Sequence, residues 1–241
     1  MDLREVRDAW NAFGETDPMW AVLTEPGREG GRWDPEEFFA TGRREIAGVM
    51  ALLDGLGGLP RRGAALDFGC GVGRLSQALA DHFDSVTGVD IAPSMVAAAE
   101  RHSSRSNCRF LLNERPDLAL LPDASFDFVY TTIVLQHMPP AAALGYVAEF
   151  ARVLRPGGMA VLTVPSRPSN TVIGRLYRVV PRRLIHAYVR HRFGAVMQMH
   201  GIPMETLLPA MTRAGLRIER VDPDTSPGPN WVGFRYVLSR R

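Results

Sequence analysis

Residues 64–80 read AALDFGCGVGRLSQALA, and this stretch decides the fold. It begins with a short apolar run of the kind that a buried parallel strand needs. Gly69, Gly71 and Gly73 then interrupt the run, and an amphipathic segment with leucines on one face follows. Glycines spaced two apart allow a tight turn and a close approach of backbone amides to a ligand, and the next helix adds partial positive charge at its N-terminus. The order strand, glycine turn and helix therefore predicts a cofactor-binding turn.

The spacing of the glycines separates two classes of cofactor. A dinucleotide site needs G-x-G-x-x-G, but the sixth position of the two possible frames is Arg74 or Ser76. The pattern present is D-x-G-x-G-x-G, which begins at Asp67. The next apolar run, residues 86–89, ends at Asp90, where an acid could face the same turn. The alternative, a glycine turn that merely links a strand to a helix, is weakened by this second, correctly spaced acid.

These two motifs resemble those of the S-adenosylmethionine-dependent methyltransferases with a Rossmann-like fold. The blocks FDFVYTTIVLQHMPP and RVLRPGG, at residues 126–140 and 152–158, resemble later motifs of the same family. The resemblance covers residues 64–164 and implies S-adenosyl-L-methionine as cofactor, with S-adenosyl-L-homocysteine as product. It implies that Asp90 holds the ribose hydroxyls. It assigns cofactor contacts to Asp67, Gly69, Gly71, Gly73, Asp90, Ile91, Met95, Asp117, Leu118, Thr132 and Ile133.

Two of the implied cofactor contacts have ordinary alternatives. Asp117 and Leu118 match the family's adenine-contacting positions, but an aspartate in a polar turn often serves only local hydrogen bonds. In the family an N-terminal helical segment covers the cofactor, and Arg43 is the candidate to reach its carboxylate. The alternative for Arg43 is a solvated helix arginine.

His137 is the candidate catalytic base. It follows the fourth predicted strand, at the edge where open α/β sheets bind ligands, and an ordinary histidine has a near-neutral pKa. The alternative is a histidine that caps the following helix region or packs against the cofactor loop, and His200 is a second candidate base. His186 and His191 have no carboxylates nearby in sequence, so we predict no metal site.

Composition narrows the possible functions. The chain has 241 residues, enough for one sizeable core, and its 28 basic residues are all arginine. Without lysine, neither P-loop nucleotide hydrolysis nor Schiff-base chemistry is available. The two cysteines, Cys70 and Cys108, are too few for a disulfide framework. The first residues are charged and no apolar run approaches a membrane span, so we expect a cytoplasmic protein.

The predicted fold class is α/β: a Rossmann-like three-layer sandwich with a mostly parallel seven-stranded sheet and an antiparallel last strand. We divide the chain into an N-terminal helical cap (1–60), a cofactor-binding core (61–165), an inserted basic lid (166–202) and a C-terminal helix with a strand pair (203–241). Residues 166–200 contain seven arginines and no acid, which suits docking on the acidic N-terminal segment, steering of an anionic acceptor, or an ordinary solvated helix face. The apolar residues of its first part have helical spacing and predict one buried face: Val172, Ile173, Leu176, Tyr177 and Val180.

The sequence favours methyl transfer to a small-molecule acceptor, with a hydroxyl oxygen as the receiving atom. A nucleic-acid substrate is disfavoured because the net charge is only +2 and no RNA-binding module is evident. The alternatives left open are an RNA or protein methyltransferase and a non-transferring cofactor-binding protein or cyclase on the same scaffold. The oligomeric state is also left open.

Overall fold

The structure, a computed structural model, describes residues 3–180 and 197–241. Three helices come first: α1 (Leu3–Thr16), α2 (Pro18–Val22) and α3 (Pro35–Gly55). The dipeptides Asp17-Pro18 and Asp34-Pro35 each predict a helix that begins at the proline with the aspartate as its N-cap. Asp34 caps α3, because its side chain accepts a hydrogen bond from the Glu37 amide at 3.0 Å. Asp17 stands at the N-cap of α2, but its side chain makes no capping bond to that helix. The Asp17 carboxylate instead accepts from the amides of Gly30 and Gly31, and it therefore ties down the loop before α3.

A seven-stranded sheet has the order β3-β2-β1-β4-β5-β7-β6. The first five strands are parallel, and β7 is antiparallel to both of its neighbours. This confirms the predicted fold class. The strands are β1 (Ala64–Phe68), β2 (Ser85–Asp90), β3 (Cys108–Leu112), β4 (Phe126–Thr131), β5 (Leu154–Pro168), β6 (Leu216–Asp224) and β7 (Trp231–Arg240).

Helices cover both faces of the sheet. The remaining helices are α4 (Arg74–Leu79), α5 (Pro93–His102), α6 (Pro140–Val153), α7 (Val172–Val179) and α8 (Met204–Arg213), with a 3₁₀ turn at Leu135–His137. On one face α6 and α8 pack on a core that includes Phe68 and Phe150. On the other face α3 and α4 pack on a core that includes Ile46 and Phe128. All five parallel strands thus end at one edge of a sheet buried on both sides, which is where such folds bind ligands.

Helix α7 does not bury the face that its spacing predicts. Val172 is 86% exposed, and Ile173 and Leu176 are each 50% exposed. Tyr177 packs against the ring of Trp231, whose centroid lies 6.0 Å away. Four arginines and two histidines of the expected lid lie outside the described residues: Arg182, Arg183, Arg190, Arg192, His186 and His191. Among the residues that are described, no helix is both long and apolar enough to cross a membrane.

Candidate functional site

A cavity lies at the carboxyl ends of β1, β2 and β4, and it contains about 900 Å³ of empty space counted out to its mouth. Helices α1 and α2 supply part of its wall through Leu3, Val6, Trp10 and Val22. Seven of the residues singled out from the sequence line it: Gly69, Gly71, Asp90, Ile91, Thr132, Ile133 and His137.

The glycine turn holds Asp90 in place. The Gly71 amide donates to Asp90 Oδ2 at 2.9 Å, and the Ala92 amide donates to Oδ1 at 2.9 Å. The amides of Gly69 and Cys70 donate to the Val89 carbonyl. The expectation that the turn brings these amides to a ligand is therefore corrected, since they bind the end of β2. Asp90 lies at the cavity wall, where burial is the main cause that raises its pKa, while hydrogen bonds from the amides of Ala92, Gly71 and Ile91 act in the opposite direction.

Gly71 also allows a close approach between the turn and α2. Its φ is +52°, and a Cβ atom there would lie 2.6 Å from Cγ2 of Val22. A side chain would thus impose a strained backbone and push the N-terminal helices away from the cavity. Glycine is therefore required at position 71 by contact with Val22, whether or not a ligand is bound.

Asp67 lies beneath the turn and does not line the cavity. It is 1% exposed, and Ser76 Oγ donates to its Oδ2 at 2.6 Å. Burial is the main reason that the pKa of Asp67 rises to about 7. In the structure, this carboxyl joins β1 to α4 below the site.

Five further predicted contacts lie outside the cavity lining. Arg43 is exposed on α3, whereas Met95 and Leu118 are buried in the core. Gly73 packs on Phe110. Asp117 Oδ1 accepts from the Ala119 amide and from Arg115 Nε, both at 3.1 Å, so it makes the local turn bonds that the sequence left as the alternative. The Ala119 bond is the main cause that lowers its pKa.

Arg74 is a cavity residue that sequence reasoning missed as a ligand-binding group. Its side chain is 3% exposed and forms an ion pair with Glu45 at 2.8 Å and a hydrogen bond with Thr41 Oγ1 at 3.2 Å. The other oxygen of Glu45 accepts from the Tyr130 hydroxyl at 2.8 Å. Nε of Arg74 is buried without a hydrogen-bond partner. The sequence signal that could have identified Arg74 is its position directly after Gly73, because that residue begins α4 beside the glycine turn.

Asn113 is the second residue missed. It is buried at the cavity one residue beyond β3, its amide donates to the Asp90 carbonyl at 2.8 Å, and its Nδ2 donates to the Asp117 carbonyl at 2.8 Å. The rule that located Asp90, a polar residue at the carboxyl end of a parallel strand, also applies to Asn113.

The loop after β4 carries backbone strain. Ile133 has a φ of +58°, a region that β-branched residues rarely adopt. Thr163 Oγ1 accepts from the Ile133 amide at 3.2 Å, and it also lies 3.1 Å from Thr132 Oγ1. Such strain persists where the surrounding structure fixes the backbone, often at functional sites.

His137 is held by hydrogen bonds at both ring nitrogens. Nδ1 lies 2.6 Å from the Gln198 carbonyl, which can only accept, so Nδ1 carries the proton. Nε2 then accepts from the Gln136 side-chain amide at 3.3 Å. The ring packs edge-on against Trp10 with centroids 5.1 Å apart. Burial is the main cause that lowers the pKa of His137 to about 4, well below the near-neutral value expected from the sequence.

His200 is tied to the same 3₁₀ turn, because its backbone amide donates to the Gln136 carbonyl at 2.7 Å. The bonds made by Gln198 and His200 fasten the returning end of the 166–202 segment to the turn that carries His137. His200 itself does not line the cavity.

Comparisons with known proteins agree with this geometry. Residues 65–158 match the family described as "Methyltransferase domain". The matched residues form a class I S-adenosylmethionine-dependent methyltransferase domain. They include Gly69, Gly71, Asp90 and His137, which line the cavity.

Two curated relatives are similar over part of the chain. The 2-methyl-6-phytyl-1,4-hydroquinone methyltransferase of Synechocystis sp. is 33% identical over 159 residues, which are 64% of this chain and 48% of that protein. The ubiquinone biosynthesis O-methyltransferase of Xanthomonas euvesicatoria is 33% identical over 185 residues, which are 73% of this chain and 66% of that protein. This methyltransferase thus spans about half to two thirds of the length of these relatives.

A solved structure shares the complete fold. Magnesium protoporphyrin IX methyltransferase from Synechocystis PCC 6803, with bound S-adenosylhomocysteine, has a TM-score of 0.67 at 22% identity and covers 100% of both chains. At this identity the likeness shows the fold alone.

The residues of the cavity fit the family's cofactor, S-adenosylmethionine. A carboxylate fixed by backbone amides at the cavity wall, as at Asp90, can accept hydrogen bonds from ribose hydroxyls. A buried guanidinium with an unpartnered Nε, as at Arg74, matches a carboxylate. These are the residues that could hold the two polar ends of the molecule.

Proposed function

We propose that this methyltransferase transfers a methyl group to a hydroxyl oxygen of a small, largely apolar acceptor. The observation that carries the proposal is the composition of the cavity wall. Beside the polar groups of the cofactor site it offers Leu3, Val6, Trp10, Met138 and Tyr146. Such a wall favours a flat or branched apolar molecule with few charges.

When bound, the cofactor supplies a methyl group already activated on a sulfonium. The chain has to align the acceptor with it and exclude water. Asp90 binds the ribose and Arg74 binds the carboxylate. The N-terminal helices α1 and α2 close over the cavity with Trp10 and Val22 and keep the reacting atoms dry.

His137 receives the proton of the acceptor hydroxyl in this proposal. Its Nδ1 proton is engaged by the Gln198 carbonyl, so the lone pair is on Nε2. The 3.3 Å contact with Gln136 is long for a hydrogen bond, and an acceptor hydroxyl displaces that amide from Nε2. Because the pKa of His137 is lowered to about 4, its imidazole is neutral over the whole physiological pH range.

The name of one relative, a ubiquinone biosynthesis O-methyltransferase, supports an oxygen acceptor. The other relative is named for a phytyl hydroquinone, which supports a ring with an apolar chain but does not specify the acceptor atom. An anionic acceptor, which the basic composition of residues 166–200 suggested, gains no support from the cavity. Arg74 is the one basic side chain among its described lining residues apart from His137, and its guanidinium is already paired with Glu45. The expectation stays a prediction.

The test is methyl transfer from cofactor carrying a deuterated methyl group. The acceptors are a panel of quinols, alkyl phenols, amines, carboxylic acids and RNA, and the products are analysed by mass spectrometry. We expect the label on the oxygen of apolar phenols or quinols. Label on nitrogen or carbon, label on RNA, or no label in any acceptor would contradict the proposal.

A second experiment separates a base from a packing residue at position 137. His137→Gln is assayed with two phenols of similar shape, one ionised at neutral pH and one not. A general base contributes roughly 10²-fold or more, but only where a proton must be removed. We therefore expect a large loss with the un-ionised phenol and a small loss with the ionised one. Equal losses, together with weaker binding of S-adenosylhomocysteine, would show a packing role.

A further inference from the structure

Helix α7 exposes an apolar stripe at its outer face. Val172, Leu176 and Ile173 lie within about 100° of one another around the helix axis, at the 100° per residue of an α-helix. They are 86%, 50% and 50% exposed, and only three other large aliphatic side chains of the described chain are exposed. Those three, Leu56, Leu112 and Leu120, belong to other elements or loops. We call Val172, Ile173 and Leu176 the α7 stripe.

The opposite side of α7 contacts the rest of the protein, so the stripe faces outward. Thr171 caps the helix and its hydroxyl donates to Asn230 Oδ1 at 2.8 Å. Gly174 packs on Ser169 so closely that a Cβ would lie 2.4 Å from its carbonyl oxygen. Tyr177 stacks on Trp231. These contacts anchor the helix to the turn before β7.

Positive charge flanks the stripe. Arg167 and Arg175 are exposed, and no ion pair involves either of them within the part of the chain that the structure describes. Arg178, by contrast, uses its guanidinium on the carbonyls of Pro168 and Ser169. Residues 166–200 contain no acid that could neutralise this surface.

We propose that the α7 stripe and its two flanking arginines form a docking surface for an anionic lipid bilayer. Aliphatic side chains on one side of a helix with arginines beside them are typical of elements that lie in the membrane interface. The charge of the patch complements acidic lipid headgroups. Three aliphatic residues are too few for a stable protein interface, which buries about 800 Å² per partner. A second copy bound through this patch would bring four arginines into one interface, where like charges repel.

The position of the patch is consistent with delivery of an acceptor dissolved in lipid. Strand β5 passes the cavity at Thr163, whose hydroxyl contacts Thr132, and continues five residues to Pro168. That is about 17 Å of extended chain. The patch and the mouth of the cavity are therefore on the same edge of the sheet. The bilayer proposal does not depend on the proposed methyl acceptor, because vesicle binding requires no turnover.

The experiment is co-sedimentation of the full chain with vesicles of pure phosphatidylcholine or of phosphatidylcholine mixed with phosphatidylglycerol. We expect binding to the anionic vesicles only, weakening with salt. The triple variant Val172→Ser, Ile173→Ser, Leu176→Ser should bind at least tenfold more weakly. Arg167→Gln with Arg175→Gln should bind roughly 25-fold more weakly, at about 1 kcal/mol per arginine. The matched control, Leu56→Ser with Leu120→Ser, should bind like the parent.

Three results would contradict docking of the stripe on an anionic bilayer. Anionic vesicles that bind the triple variant as well as the parent, or bind neither, would overturn the proposal. So would a dimer in light scattering that the triple variant converts to a monomer, because a second copy would then cover the stripe. A cysteine introduced at position 173, in a Cys108→Ala background whose remaining Cys70 is buried, should react with maleimide in the free protein and be protected by anionic vesicles. Lack of reaction in the free monomer would mean that the chain itself covers the stripe.

Discussion

Replacing Arg74 with methionine should damage both the stability and the cofactor site, and the two effects can be separated. The variant leaves Glu45 without its cation while Tyr130 still donates to it. Breaking a buried pair on one side costs about 3–5 kcal/mol. The Glu45 side chain is 30% exposed, so water compensates in part and we expect about 2–3 kcal/mol. For a chain of this size that lowers Tm by roughly 4–12 °C.

The double variant Arg74→Met, Glu45→Met removes both charges and should recover most of that stability, because the uncompensated carboxylate is gone. It should not recover cofactor binding. A lost charge-assisted hydrogen bond to the cofactor carboxylate is worth about 1.5–3 kcal/mol, which corresponds to roughly 10- to 150-fold in Kd.

The assay is titration calorimetry with two ligands. S-adenosylhomocysteine has the carboxylate, and 5′-methylthioadenosine lacks the amino-acid part. We expect the double variant to lose affinity for the first ligand and to bind the second like the parent. If the stable double variant binds S-adenosylhomocysteine with parental affinity, Arg74 only joins α3 to α4 and the cofactor assignment fails.

Three further predictions concern the turn and its surroundings. Gly71→Val should abolish binding of S-adenosylhomocysteine while circular dichroism shows a folded chain, because φ +52° and the Val22 contact exclude a side chain; parental affinity would make the turn a connector only. Asp67→Asn should be more stable than the parent at pH 8, with an advantage that shrinks toward pH 4. The pKa of Asp67 is about 7 in the folded protein and 3.8 ordinarily, so the parent loses stability, at most about 4 kcal/mol, as the pH rises from 3.8 to 7. Urea unfolding that shows the same stability difference between variant and parent at every pH would refute this. The acid limb of kcat/KM should lie near pH 4, where His137 titrates, and a limb between about pH 6 and 7 would contradict the buried, neutral imidazole.

Much of the core was predictable because short-range rules decide it. The glycine turn, the ends of the parallel strands and the proline-initiated helices depend on local backbone preferences and on alternation of apolar residues. Asp90 followed from the same rules, since the carboxyl ends of adjacent parallel strands meet at one edge. The Asn113 position was accessible to that argument as well.

The remaining features depend on contacts that are distant in sequence. Arg74 is buried because Thr41 and Glu45, 33 and 29 residues earlier, supply its partners. The tautomer of His137 depends on Gln198, 61 residues later. The exposure of α7 also escaped prediction, because helical spacing of apolar residues indicates an amphipathic helix and not the surface that its apolar face contacts.

Titration calorimetry of S-adenosylhomocysteine into the parent and into Asp90→Ala tests most directly whether this cavity is the cofactor site. Loss of the carboxylate leaves two ribose hydroxyls unpaired, at a cost of about 2–4 kcal/mol, so the variant should bind roughly 30- to 1,000-fold more weakly. Asp84→Ala, an exposed aspartate just before the other end of β2, is the matched control and should bind like the parent. Equal affinity of the parent and Asp90→Ala would contradict the assignment of this cavity as the cofactor site.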